Sequence, residues 1–245
     1  MHKVVRGLVL REVKFKEADK LLTVLTREEG KLTIRARDAL RKNSRYGAAA
    51  QLLSFSELTL FCHKGRWSLN EGSTVEQFLG LRDELPLLSL ATYFAELLEA
   101  VSDEDSPSPA ALNLGLNALF ALSRRLYPPA HIKAVFELRL MSLVGFLPSL
   151  DACGQCGAAM PAQPRFLTLE GVLACAACAL EGASLSLCPA SLAAMRHVTH
   201  AAPKKVFSFT LDEDAQKRFY AVCEAYVRVQ LDRSFHSLDY WKQLR

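Results

Sequence analysis

The sequence predicts a mixed α+β protein: a small β-barrel, then helices, with a four-cysteine knuckle inserted among the helices. Three observations carry that expectation. The first 80 residues break into five short β-type runs separated by turns. From about residue 83 the apolar residues recur every three or four positions instead of every two. Two Cys-x-x-Cys pairs then stand eighteen residues apart, with helical stretches on either side.

Val4–Val13 and Leu21–Thr26 are the first two predicted strands. Lys31–Arg37 is the third and alternates most cleanly. Leu32, Ile34 and Ala36 fall on one face and Lys31, Thr33, Arg35 and Arg37 on the other, because successive strand side chains point to opposite sides. Glu57–Cys62 and Trp67–Glu71, joined by the turn His63–Arg66, complete the set. Five short strands in so little chain suit an OB-type barrel, and residues 1–80 are expected to form that domain.

Residues 81–245 are expected to form a helical domain. Leu87, Leu90, Ala91, Phe94, Leu97, Leu98 and Val101 follow the spacing of an amphipathic helix. Asp103–Pro109 breaks that pattern as an exposed loop. A second helix is predicted over Ala110–Leu126, ended by Pro128 and Pro129. A third, His131–Phe146, is apolar on most sides and is expected to be the buried centre of a bundle, terminated by Pro148. Pro189–His200 and Asp212–Leu231 are the last two, the latter capped by Asp212. The knuckle occupies about 150–182.

Of the 245 residues, 50% are hydrophobic and 23% charged, which excludes a disordered chain, a collagen-like fibre and a disulfide-dense mini-protein. No uncharged apolar run reaches the roughly 18 residues of a membrane span, and the start lacks the pattern of a signal peptide. A soluble intracellular protein is expected. The net charge of +4 is unevenly spread: residues 1–80 carry +6, 81–152 carry −4 and 153–245 carry +2. A basic end beside an acidic middle suggests a polyanionic partner.

Cys153, Cys156, Cys175 and Cys178 have the C-x2-C, 15–20, C-x2-C spacing of a zinc site. Each pair places two thiolates on one ion from a tight turn, with Gly154 and Gly157 letting the backbone fold closely around it. The segment Arg165–Leu173 reads as a hairpin between the knuckles. Four sulfurs fill four positions, so one structural zinc is expected, with no coordination site open to substrate. Cys62, Cys188 and Cys223 are left as free thiols. There is no His-Glu-x-x-His motif, no deaminase-type His-x-Glu partner and no phosphate-binding glycine loop, so no catalytic residue is assigned and no enzyme activity is expected.

The segment Gly30–Gly47 holds Lys31, Arg35, Arg37, Arg41, Lys42 and Arg45 against a single acid, Asp38. Such a patch neutralises phosphates without reading bases. Asn43 and Ser44 add neutral donors and Tyr46 offers a ring on which a base could stack. A solvated strand face with a polar loop would look the same. Phe15, Phe55, Phe61 and Trp67 are candidates for a stacking platform, with core packing expected for at least three of them.

With these parts in place, the chain resembles the bacterial recombination mediator RecO family over nearly its full length. The matching pieces are Gly7–Leu10, Phe15–Thr26 (FKEADKLLTVLT), Gly30–Leu32, Ala36–Gly47 (ARDALRKNSRYG) and Phe136–Phe146 (FELRLMSLVGF), followed by the four cysteines. One departure is Asp38, which stands where the family usually has glycine, at the turn after the third strand. The resemblance implies an OB-fold, a helical domain and a zinc element. It also implies a non-enzymatic role: binding single- and double-stranded DNA, annealing complementary strands, and assisting RecA loading onto DNA coated by single-stranded-DNA-binding protein (SSB). RecR and the acidic SSB C-terminal tail are the implied partners, and a cytoplasmic, nucleoid-associated location follows. An acidic tail ending in apolar residues and a carboxylate needs a greasy groove with a cation at its rim, for which Lys133 and Arg139 are the expected residues. A zinc-dependent enzyme would need an open metal position. An RNA-binding, transcription or translation factor with an OB-fold and a zinc ribbon would share the basic patch.

Overall fold

The structure is a computed structural model, described here for residues 2–159, 161, 163–179 and 184–244. The expected end of the knuckle at 180–182 lies outside the described residues. The chain divides into two compact units: residues up to Leu126 with those from Phe235 onward, and Tyr127–Ser234.

The first unit opens with five strands, β1 (His2–Phe15), β2 (Asp19–Thr26), β3 (Gly30–Ala36), β4 (Phe55–His63) and β5 (Arg66–Glu76). They close into a barrel of order β1-β2-β3-β5-β4. Strand β1 is long enough to pair with both β2 and β4, bending at an irregularity between Val9 and Arg11. Closure is made by a short parallel pairing, Ile34 with Trp67 and Arg35 with Ser68. Every predicted strand is present, most of them longer than expected because their ends carry polar residues that blur the alternation. The alternation of β3 is realised: Leu32, Ile34 and Ala36 join Val5, Val9, Leu22, Val24, Leu58, Leu60 and Leu69 in the barrel core. A 3-10 turn at Gly47–Ala50 adds Ala49 and Ala50 to that core between β3 and β4.

Helices α1 (Leu85–Val101) and α2 (Pro109–Ser123) follow in the same unit. The predicted apolar face of α1 is buried from Leu87 through Leu98. Helix α2 stops short of the expected Leu126 because Arg125 turns into the left-handed region at φ 51°.

The second unit begins with α3 (Pro129–Leu143), buried on almost every side as expected. Its end is set by Gly145 rather than Pro148. Gly145 adopts φ 104°, and the Phe146 N–H returns to the Met141 carbonyl at 2.9 Å. Strands β6 (Arg165–Leu167), β7 (Val172–Ala174) and β8 (Ser184–Ser186) form a small sheet of order β7-β6-β8. The predicted hairpin is thus present, with a third strand added. Helix α4 (Pro189–His200) matches its expected bounds, and α5 (Glu213–Gln230) starts at Asp212, whose carboxylate accepts from the Ala215 N–H at 2.9 Å. The chain ends with α6 (His236–Gln243), which belongs to the first unit and packs on α1 through Leu238 and Trp241. No described helix is long and apolar enough to cross a membrane.

Candidate nucleic-acid interface and metal centre

The six cations expected to follow a phosphate backbone fall into two groups. Arg35 is committed to its own fold: its Nε and Nη2 donate to Asp19 Oδ2 at 2.8 and 2.6 Å, and its guanidinium lies over the Phe15 ring. Lys31 is half-buried and donates from Nζ to the Glu99 carbonyl of α1 at 3.0 Å. Arg41 pairs with Asp38 at 2.8 Å, both side chains being well exposed. Arg37, Lys42 and Arg45 are exposed and form no salt bridge among the described residues.

Asp19 organises this region. Beside Arg35, its Oδ1 accepts the Asp38 N–H at 2.9 Å, and the neighbouring Ala18 carbonyl accepts the Leu40 N–H at 2.9 Å. The turn between β1 and β2 therefore holds the loop that follows β3. Hydrogen bonds from the Asp38 backbone and the Arg35 side chain keep the Asp19 carboxyl below its ordinary pKa. Charge counting missed Asp19 because it scores an acid as a subtraction. Asp38 sits at φ 56°, a conformation natural to glycine and tolerated by aspartate, which accounts for the family glycine at this turn.

Three clefts share Arg37. One, of about 530 Å³, is formed by the loop from Arg37 to Arg45. A second, of about 510 Å³, lies between β3 and the β4–β5 turn and includes Phe15, Arg35, Arg66 and Trp67. The third, of about 320 Å³, runs towards His2 and Phe61 and is also lined by Arg45. The aromatic residues meet the expectation of core packing only in part. Trp67 packs half-buried against the barrel core, Phe15 and Phe55 are half-buried, and Phe61 is exposed. Tyr46 instead is buried, its hydroxyl donating to the Leu69 carbonyl at 2.9 Å, so its ring is not open to a base.

In the second unit, the Sγ atoms of Cys153, Cys156, Cys175 and Cys178 all lie within 4.8 Å of one another. The Cys156 and Cys175 sulfurs are 3.8 Å apart, matching the edge of about 3.8 Å for a tetrahedron with 2.3 Å zinc–sulfur bonds. These four residues could hold a metal ion. Backbone N–H groups of Cys156, Cys175 and Gln155 aimed at the Cys153 sulfur lower its pKa to about 6. Cys178 is pushed up to about 12 because its thiol S–H donates to the Cys175 and Cys156 sulfurs, which favours the protonated form. The fit extends to the glycines: Gly157 takes φ 74°, and a side chain on Gly154 would press on Val172 at 3.1 Å. The knuckle is tied to the helices around it. Arg196 of α4 donates twice to the Leu150 carbonyl, and Gln230 of α5 donates to the carbonyls of Thr168 and Leu169. Of the remaining thiols, Cys223 is wholly buried and Cys188 caps α4.

Lys133 and Arg139 are not where a groove rim would need them. Lys133 is buried between Glu137 (2.8 Å) and Glu224 (2.9 Å). Burial pushes its pKa down, but the two carboxylates outweigh that and hold it above the usual lysine value. Arg139 is half-buried and donates to the Val198, Thr199 and Ala201 carbonyls, closing the C-terminal end of α4. Sequence alone gave both residues a helix but no direction on it.

A closed OB-type barrel with free cations on its outer side, continued by helices and a four-cysteine knuckle, defines the architectural class. Comparison with known proteins narrows it. Residues 1–78 match the family described as Recombination protein O N terminal, and residues 82–239 match Recombination protein O C terminal. The chain is 32% identical to the DNA repair protein RecO of Symbiobacterium thermophilum, covering 98% of this chain and 97% of that one. It is 30% identical to DNA repair protein RecO of Acetivibrio thermocellus, covering 97% and 95% respectively. The chain belongs to the RecO family of DNA repair proteins.

Proposed function

We propose that the protein is a non-enzymatic recombination mediator. It binds single- and double-stranded DNA through the barrel of residues 1–80, anneals complementary strands and, with RecR, assists RecA loading onto SSB-coated DNA. The observation that carries the DNA reading is the trio of exposed cations without salt-bridge partners, Arg37, Lys42 and Arg45, on a loop held by Asp19. Annealing needs no proton transfer and no covalent intermediate. It needs two polyanions brought together against their repulsion, and a fixed cationic surface lowers that barrier for any sequence.

Zinc is the metal proposed for Cys153, Cys156, Cys175 and Cys178, because four thiolates in a tetrahedron of this size suit it. When bound, it supplies a cross-link between the two knuckles and no catalysis. The SSB tail remains a proposed partner of residues 81–245, with Lys133 removed from the contact by its burial and Arg139 by its bonds to the end of α4. Its cytoplasmic, nucleoid-associated location is proposed from the same role.

Strand annealing tests the reading. Purified protein should accelerate pairing of complementary oligonucleotides, and Arg37→Ala/Lys42→Ala/Arg45→Ala should slow it without unfolding the chain. Annealing no faster than in buffer, at any salt concentration, would overturn the proposal.

A further inference from the structure

Phe61 occupies a position that barrel packing does not explain. Its partner across β5 is Ser68, Ser68 is opposite Arg35 of β3, and on the other side Phe61 is opposite His2 of β1. Cross-strand partners share a face. Because Leu32, Ile34 and Ala36 point into the barrel, Arg35 points out, and so do Ser68, Phe61 and His2. The ring of Phe61 points away from the barrel core and remains 38% exposed. His2 lies 4.9 Å away on one side, and His63 lies 6.4 Å away with its ring within 11° of parallel. These flanking rings restrict the rotation of Phe61 and leave it in the cleft that Arg37 and Arg45 also line.

We infer that Phe61 is a base-stacking subsite for an unpaired nucleotide, whose phosphates are held by Arg37 and Arg45. The inference rests on the DNA-binding reading above and adds to it the source of a preference for single strands. The charge pattern selects the occupant: two exposed guanidinium groups without salt bridges, Arg37 and Arg45 (the latter lying over the Tyr46 ring at 5.4 Å), beside an aromatic face suit a phosphate next to a base. In a duplex both faces of each base are already covered by its neighbours, so a paired base cannot lie on this ring. The cations therefore serve either form of DNA, whereas Phe61 serves only the unpaired one.

The test compares wild type with Phe61→Ala, Phe61→Leu and Phe61→Trp. The probes are a mixed-sequence single strand, an abasic strand of equal length, and a duplex. Phe61→Leu keeps apolar bulk without a π-face and so guards against a folding defect in the alanine variant. Wild type should bind the base-bearing strand at least about fivefold more tightly than the abasic one. Alanine and leucine should erase that ratio while leaving duplex affinity and the salt slope intact, and tryptophan should retain it. Leucine or alanine variants that melt like wild type and keep the full ratio overturn the subsite, with the role of the cations untouched. Wild type that binds none of the probes overturns the DNA-binding reading itself, and the subsite with it.

Discussion

Removing Arg37, Lys42 and Arg45 together should change how DNA affinity depends on salt, and the structure says by how much. Each cation that neutralises a single-strand phosphate contributes about 0.7 to the slope of log K against log salt. Three free cations therefore predict a loss of about 2.1 in that slope, equivalent to about 18-fold less variation in affinity between roughly 50 and 200 mM salt. Arg35→Ala is the internal control. That guanidinium is already spent on Asp19, so its removal should leave the slope near wild type and instead lower the melting temperature, because a mostly buried carboxylate loses its partner. Arg41 stands between the two, since its exposed pair with Asp38 costs little to break. Fluorescence anisotropy of a labelled single strand across a salt series measures the slope, and thermal melting reports the fold. A triple variant with the wild-type slope would refute the assignment. So would an Arg35→Ala protein of unchanged stability whose slope falls as far as that of the triple.

The buried Lys133 should behave as a structural charge: Lys133→Met removes the cation between the buried Glu137 and Glu224, and denaturant unfolding should show a loss of about 3–5 kcal/mol. A change well under 1 kcal/mol would contradict the triad. Metal analysis should find one zinc per chain, and Cys175→Ser or a strong chelator should remove it and destabilise the fold, since binding of a structural metal is coupled to folding. Zinc-free protein with unchanged melting would refute the site. The Asp19 carboxyl, with its pKa lowered on folding, contributes stability that is complete above about pH 4, its unfolded value, and is lost as pH falls through the lower folded one. Asp19→Asn should therefore lose less stability than wild type on acidification below pH 4, measured as melting temperature against pH; parallel curves would refute it.

Much of this was legible in the sequence because the signals are periodic or stoichiometric. Alternation in β3 and three-to-four spacing in α1 report directly which side faces a core, and the cysteine spacing reports a tetrahedron. What escaped was direction and pairing. The segment Lys31–Arg45 shows six cations, but which of them are free depends on Asp19 and Glu99, far away in the chain and close in space. Lys133 sits on a helix apolar on most sides, and only the arrival of Glu224 from α5 settles that it points inward. Helix α6 escaped because eight residues with two buried apolar anchors, Leu238 and Trp241, offer too few turns for a period to register.

The return of the chain at Phe235 to the unit it left at Leu126 has a consequence for synthesis on the ribosome. Phe235 packs edge-on against Tyr93 of α1 at 5.5 Å, and Ser237 bonds to Glu96 of the same helix. These contacts are translated only after the whole of Tyr127–Ser234. Until they emerge, the face of α1 that they cover is open, for a time on the order of ten seconds at ordinary elongation rates, while the whole of Tyr127–Ser234 is being made. The nascent barrel unit must wait with an apolar seam exposed, and the unit that starts folding first cannot finish until the second has been made.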